Sequence, residues 1–157
     1  MNKVLDVCRY IINYSNKQGY AISNLKLQKL LYFVQAYFLI SSDEHKPCFV
    51  EEIEAWDFGP VVPEAYHEYK RYGNMDIPCV IRYFEKGKNN EFIKHIFDKN
   101  CISSNDRKKI RDVVDNFADY SASDLVELTH AQSPWKDAYI PNMNNLITKE
   151  SIVRYFV

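Results

Sequence analysis

The polar side chains best placed to do chemistry lie along one predicted helix. Gln28, Tyr32 and Gln35 are spaced by four and three residues, which places them in a single stripe, and Lys29 lies beside it. Buried amides and phenols need hydrogen-bond partners. The stripe therefore either bonds to neighbouring loops or lines a binding surface, and the spacing alone favours the loops.

A second candidate for a polar site is Thr129–His130, which precedes Ser133–Trp135. A lone histidine near a helix end is more often a structural residue than a catalytic one. The four cysteines include no C-x-x-C pair, and the four histidines show no H-E-x-x-H spacing. The chain also lacks the G-x-S-x-G, P-loop and G-x-G-x-x-G patterns. We therefore expect no catalytic residue, no metal and no cofactor.

The composition is that of one globular domain. A chain of 157 residues is long enough for one sizeable core. Only four residues are glycine, which disfavours a loop-rich all-β fold. Twenty basic residues face 21 acidic ones, so no positive field favours nucleic acid as a partner.

The segment that must position these side chains is residues 24–40, the most apolar stretch of the chain. Its apolar residues recur at helical spacing, namely Leu27, Leu30, Leu31, Val34 and Phe38. Further apolar residues cover most of the remaining circumference, and a helix of that kind is buried. We therefore expect the rest of the chain to pack around this central helix.

No segment predicts insertion into a membrane. Lys29 and Gln35 interrupt the central helix, so its apolar runs fall short of the roughly 20 residues that a span needs. Asp6 and Arg9 interrupt the N-terminal apolar segment, and no small-residue cleavage site follows it. We expect a cytoplasmic protein without a membrane partner.

The remaining patterns predict a mainly α fold of the α+β class. Amphipathic patterns and capping residues predict six further helices: residues 3–17, residues 63–72, and helices that begin after Ser103 or Ser104, after Ser121, at Ser133–Trp135 and after Thr148. Residues 49–57 predict a short strand, and residues 77–97 fit a hairpin or an irregular excursion better than one short helix. The expected architecture is a single compact helical domain, residues 1–157, with a small antiparallel β element.

Three segments have residue sequences that the packing of a core alone does not require. They read Leu25-Lys-Leu-Gln-Lys-Leu-Leu-Tyr32, Ala55-Trp-Asp-Phe-Gly-Pro-Val-Val62, and Leu128-Thr-His130 followed by Pro134-Trp135. In their order and their residues they resemble the SocA-like antitoxin domain, also called the Panacea domain, which occurs in phage-associated GepA-like proteins. Tyr66 matches the aromatic residue that this pattern carries after the turn, whereas residues 77–103 match no part of it.

The resemblance implies a non-enzymatic antitoxin-type module that binds and neutralises a protein toxin, usually the product of an adjacent gene. It does not identify the toxin. Many members of the family also carry a DNA-binding helix-turn-helix. Because the predicted domain begins almost at Met1, we expect no N-terminal one here and no direct binding of nucleic acid.

Three alternatives to direct neutralisation stay open. The first is an adaptor that delivers its partner to a protease or chaperone, which would need a second binding surface. The second is an enzyme with an unrecognised site, in which His130 and a nearby carboxylate converge in a pocket. The third is a nucleic-acid binder, which the near-neutral charge disfavours.

The candidate partner-binding residues come from the three segments and from the helix after the turn: Gln28, Lys29, Tyr32, Trp56, Tyr66, His130 and Trp135. Distant segments of one family pattern are expected to touch in the fold. We predict that Gln28 or Tyr32 packs against the turn at residues 56–62 and that Trp135 lies close by. Both tryptophans are expected mainly to pin this cluster to the core, with Lys29 and Tyr66 at its exposed edge.

Overall fold

The computed structural model describes residues 1–157, which form seven α-helices and five strands. In chain order they are α1 (Val4–Gln18), α2 (Asn24–Ile40), β1 (Ile53–Trp56), β2 (Gly59–Val61), α3 (Pro63–Tyr69), β3 (Arg82–Lys86), β4 (Phe92–Ile96), α4 (Ser104–Asn116), α5 (Ala122–His130), α6 (Ser133–Ala138), β5 (Leu146–Ile147) and α7 (Lys149–Phe156). The mainly α prediction is confirmed.

Most helix boundaries carry the capping signals that predicted them. The Ser23 hydroxyl accepts the Lys26 amide at the start of α2. At the start of α5, Ser121 and Asp124 form a reciprocal capping box, which satisfies two amides that the helix itself leaves free. Thr148 likewise accepts the Ser151 amide at the start of α7.

The central helix α2 is the most buried element, as predicted. Leu27, Leu30, Leu31 and Val34 are at most 1% exposed. Tyr37 and Ile40, near its end, are the large apolar side chains of α2 that reach the surface, being 38% and 37% exposed. The helices α1, α3, α4, α5 and α7 and the strand β2 all pack against α2. One continuous core therefore surrounds the helix that carries the polar stripe.

The turn after β1 is the tight end of a hairpin. Strand β1 pairs antiparallel with β2, with Trp56 opposite Gly59, and with the short strand β5, which the sequence did not predict. Gly59 has a φ of 105°, a conformation that disfavours any residue with a Cβ. The prediction of a strand over residues 49–57 is only partly right, because β1 begins at Ile53.

Residues 77–97 contain the predicted hairpin, formed by β3 and β4 as a separate two-stranded sheet. The Asn13 side chain fastens its base to α1, accepting the Val80 amide at 2.7 Å and donating to the Val80 carbonyl at 2.9 Å. None of the helices combines the length and the apolar run that crossing a bilayer requires.

Candidate functional site

The first part of the polar stripe binds the segments that cover α2. Gln28 Oε1 accepts the Val62 amide at 3.0 Å, and Gln28 Nε2 donates to Asn24 Oδ1 at 2.9 Å. The Tyr32 hydroxyl donates to Gln132 Oε1 at 2.8 Å. Gln28 thus holds the end of the β1–β2 hairpin, and Tyr32 holds the loop before α6.

Gln35 completes the stripe further along α2. Its Oε1 accepts the Cys48 and Phe49 amides at 2.8 and 3.3 Å, and its Nε2 donates to the Phe49 carbonyl at 2.8 Å. These bonds hold the backbone at residues 48 and 49 against α2. The interpretation that the stripe bonds to neighbouring loops is confirmed.

Lys29 is fully buried, at 0% exposure, so the prediction that it lies at an exposed edge is wrong. Its Nζ donates to the Pro60 carbonyl at 2.9 Å. A Cβ on Gly59 would lie 2.7 Å from Lys29 Cε and 2.8 Å from Thr129 Oγ1, so the lysine stem occupies space that only a glycine leaves. Burial lowers the pKa of Lys29 to about 7.

Trp135 joins the third motif to the second. Its indole Nε1 donates to the Trp56 carbonyl at 2.8 Å. Its ring stacks on His130 on one side and on Tyr139 on the other, with centroids 3.9 and 4.5 Å away. The Tyr139 hydroxyl donates to Asp57 Oδ1 at 2.5 Å, which fixes the outer end of the stack to the turn. The predicted contact between the three motifs is confirmed.

His130 lies at the inner end of this stack. Burial lowers the pKa of its imidazole, an effect that a hydrogen bond with the Asp57 backbone opposes and nearby Lys29 reinforces. Its Nε2 is buried without a hydrogen-bond partner. No hydrogen bond joins this ring to a carboxylate. No group of three or more His, Cys, Asp or Glu side chains is arranged to hold a metal ion.

A groove of about 440 Å³ lies on the outer side of this cluster. The Trp56 and Tyr66 rings meet edge to face in its wall, with centroids 5.0 Å apart. Phe58, at the hairpin tip, is 66% exposed and also lines it. Tyr139 and Leu25 complete its aromatic and aliphatic surface. The groove combines an apolar wall with the polar ends of the residues that hold the cluster together.

All seven predicted residues therefore lie in one cluster, but at different depths. Gln28, Lys29 and Tyr32 are at most 1% exposed and have no surface to offer a partner. The other four are half-buried: Trp56, Tyr66, His130 and Trp135. We name the buried layer the hub and the outer cavity the groove.

Sequence reasoning missed Phe58, Gln132 and Tyr139 as members of this cluster. Phe58 lies within the segment Ala55–Val62, and its position directly before Gly59-Pro60 indicates a side chain at the tip of a turn, exposed to solvent. Gln132 and Tyr139 flank the Pro-Trp motif. Their partners, Tyr32 and Asp57, are 100 and 82 residues away in sequence, so no local pattern indicated the contacts.

The family model described as "Antitoxin SocA-like, Panacea domain" matches residues 27–136. The chain belongs to this family. The matched segment contains the hub and most of the groove. The chain is also similar to Antitoxin SocA of Caulobacter vibrioides (strain NA1000 / CB15N), with 36% identity over 115 residues. That alignment covers 73% of this chain and 58% of the relative's length. No solved structure matches the chain.

Proposed function

We propose that this SocA-like domain neutralises a cognate protein toxin by direct, stoichiometric complex formation, without catalysing a reaction. The observation that carries the proposal is the groove, whose exposed aromatic wall is built on a rigid hub. Hydrogen bonds of the hub residues Gln28 and Lys29 fix the backbone at Val62 and Pro60. The hydrogen bond from Trp135 fixes the Trp56 carbonyl. A preformed surface loses little conformational entropy on binding, so more of the contact energy appears as affinity.

The groove has the composition of an interface centre. Aromatic residues are enriched where protein partners bind tightly, and a few anchors usually dominate the binding free energy. Phe58 and Tyr66 are the proposed aromatic anchors, and the Trp56 ring contacts Tyr66 edge to face. Lys70 and the amides of Asn142 and Asn144 supply polar groups at the edges of the groove.

The extent of the domain, its location and its partner gene are further parts of this proposal. We take residues 1–157 as one domain, because α1 lies before the matched segment and yet contributes buried residues to the common core, such as Ile11 and Ile12. We place the protein in the cytoplasm, without a cofactor and without nucleic acid as a ligand. Its toxin is the product of an adjacent gene.

The proposal is tested with the growth-inhibiting protein encoded beside this gene. Co-expression of the wild-type chain restores growth, and the two purified proteins form a complex whose affinity is measured by calorimetry. Phe58→Ala should weaken the complex at least about tenfold, as removal of an anchor does. Tyr120→Ala is the matched control, since Tyr120 is also exposed, at 42%, but lies outside the groove.

Two results would contradict the proposal. The first is a wild-type chain that neither binds the toxin nor restores growth. The second is restored growth with toxin that disappears from the cell in a protease-dependent manner and forms no stable complex. That second result would indicate the adaptor function in place of neutralisation by binding.

A further inference from the structure

The hairpin β3–β4 presents an outer face that nothing in the fold covers. In an antiparallel pair, opposite residues point to the same side, and the register places Arg82 opposite Ile96, Phe84 opposite Lys94 and Lys86 opposite Phe92. The three apolar members, Phe84, Phe92 and Ile96, are 64%, 74% and 71% exposed. Neighbouring large apolar side chains that stay exposed are typical of an interaction site.

The charged members of this face are all cationic. Arg82, Lys86 and Lys94 make no ion pair and no side-chain hydrogen bond within the chain. Elsewhere on the hairpin, His95 of the inner face lies 3.6 Å from Glu85. The outer face therefore offers three unpaired positive charges among apolar side chains. Charge complementarity favours an acidic partner surface, and the exposed apolar side chains favour one that is also apolar.

The same residues carry the unpaired backbone groups of the hairpin. The Phe97 amide donates to the Ile81 carbonyl and the Gly87 amide to the Glu91 carbonyl, which identifies these as hydrogen-bonded pairs. Because hydrogen-bonded and non-hydrogen-bonded pairs alternate, Arg82, Phe84 and Lys86 turn their N–H and C=O groups away from β4. The outer edge of β3 is thus a row of free donors and acceptors, a template for another strand.

A cavity of about 490 Å³ lies along this edge of β3. Four consecutive β3 residues line it, Tyr83 to Lys86, and no residue of β4 does. Its lining carries five carboxylates against three cations. Glu51 Oε2 is buried there without a partner. Burial, together with the Glu51 and Glu68 charges, raises the pKa of Glu64 in the same wall.

We propose that the free edge of β3 binds an extended segment of the partner toxin by strand addition. Alternate side chains of that segment, acidic and apolar, cover the outer face of the hairpin. A basic side chain from the opposite face of the segment enters the cavity toward Glu51 and Glu64. This inference rests on the proposed function and names the surface and the chemistry of the partner's segment.

A polypeptide fits these features better than a nucleic acid or a lipid surface. Only a polypeptide carries amide and carbonyl groups at the spacing of a strand edge. The chain as a whole has a formal net charge of −1, so it has no long-range attraction for a polyanion. The acidic cavity beside the edge would also repel phosphate groups.

The test uses the substitution Phe84→Pro. The Phe84 amide points outward, so Phe84→Pro removes a donor from the free edge and spares the hydrogen bonds between β3 and β4. Binding of the adjacent-gene toxin to the full chain should fall at least about 30-fold. Phe84→Ala removes the ring but keeps the amide and should lose less than about tenfold. Lys94→Pro makes the same backbone change on the edge of β4 and should lose less than about threefold.

Hydrogen exchange provides a measurement that needs no variant. In the wild-type complex the amides of Arg82, Phe84 and Lys86 should gain protection, and those of Phe92 and Lys94 should not. Equal affinities of the Phe84→Pro and Phe84→Ala proteins, protection on the β4 edge, or a larger loss from Lys94→Pro would each overturn the inference. Thermal unfolding of each variant verifies that the domain stays folded.

The outcomes also separate this inference from the proposed function. If the toxin binds wild type and Phe84→Pro equally, only strand addition is refuted. If wild type does not bind the toxin at all, both fail. Tighter binding of the toxin-free chain to a 20-base-pair DNA duplex, or to vesicles of phosphatidylcholine and phosphatidylserine, would replace the polypeptide with another class of partner.

Discussion

Replacing the buried amine of Lys29 should change how the stability of the fold depends on pH. The pKa of Lys29 falls from its usual 10.5 to about 7 because burial disfavours the ammonium form. The unfolded chain therefore binds a proton between pH 7 and 10.5 that the folded chain does not. Stability must rise with pH in this window, by about 1.4 kcal/mol per pH unit.

The substitution Lys29→Met keeps the length of the stem that fills the space beside Gly59 and removes the titrating group. Wild type should gain about 1.6 kcal/mol between pH 7.0 and 8.5 from this group, whereas the variant should lack that gain. Below about pH 6 the amine is protonated in both states, so the two profiles should run parallel. The buried thiols of Cys8 and Cys48, whose pKa values burial raises, affect stability only at higher pH.

Urea denaturation of both proteins at pH 6.0, 7.0 and 8.5 measures this difference. Lys26→Met is the matched control, because Lys26 lies on the same helix and its Nζ donates to the Ala118 carbonyl at 3.3 Å. Burial also lowers the pKa of Lys26, but the charges of Asp119, Asp124 and Asp76 oppose the shift. Removal of the Lys26 amine should therefore leave most of the rise of stability with pH unchanged. Parallel profiles for wild type and Lys29→Met across the whole range would refute the reasoning.

Substitutions at three further positions test the packing around the hub, with the free energy of unfolding in urea as the measurement. Leu31→Ala should cost about 2–5 kcal/mol, because Leu31 is 0% exposed in the centre of the core; a loss below about 1 kcal/mol would mean that the site is not core. Gly59→Val should cost more than about 2 kcal/mol through backbone strain and collision with Lys29 Cε, and Gly59→Ala should be only partly milder. Trp135→Phe removes the donor to the Trp56 carbonyl and should cost about 1–3 kcal/mol, and an unchanged stability would show that the bond contributes nothing.

The elements that the sequence predicted well are those with local causes. The caps at Ser121 and Thr148 and the apolar repeat of α2 each act within one or two helical turns. Gly59 belongs to the same class, since its φ of 105° favours a residue without a Cβ. Such signals are readable without knowledge of the fold.

The features that the sequence did not predict depend on distant partners. Strand β5 has only two residues and is defined by its pairing with β1, in which Ile147 lies opposite Ile53. The burial of Lys29 depends on a gap at Gly59, 30 residues away, and on a free carbonyl at Pro60. A lysine in a helix is usually exposed, so its residue type predicts a side chain at the surface. The tertiary contacts of Lys29 bury it instead.

The two proposed surfaces meet at the helix α3. Tyr66 of α3 and Lys70, the residue that follows α3, both line the groove. Glu64 and Glu68, four residues apart, share one side of α3 and face the cavity beside β3. A toxin that adds a strand to β3 therefore has only α3 between it and the groove, so a single partner can engage both surfaces. The buried hub then acts indirectly, since it fixes the β1–β2 hairpin and the base of α3 against α2 and so holds the groove in place before the partner arrives.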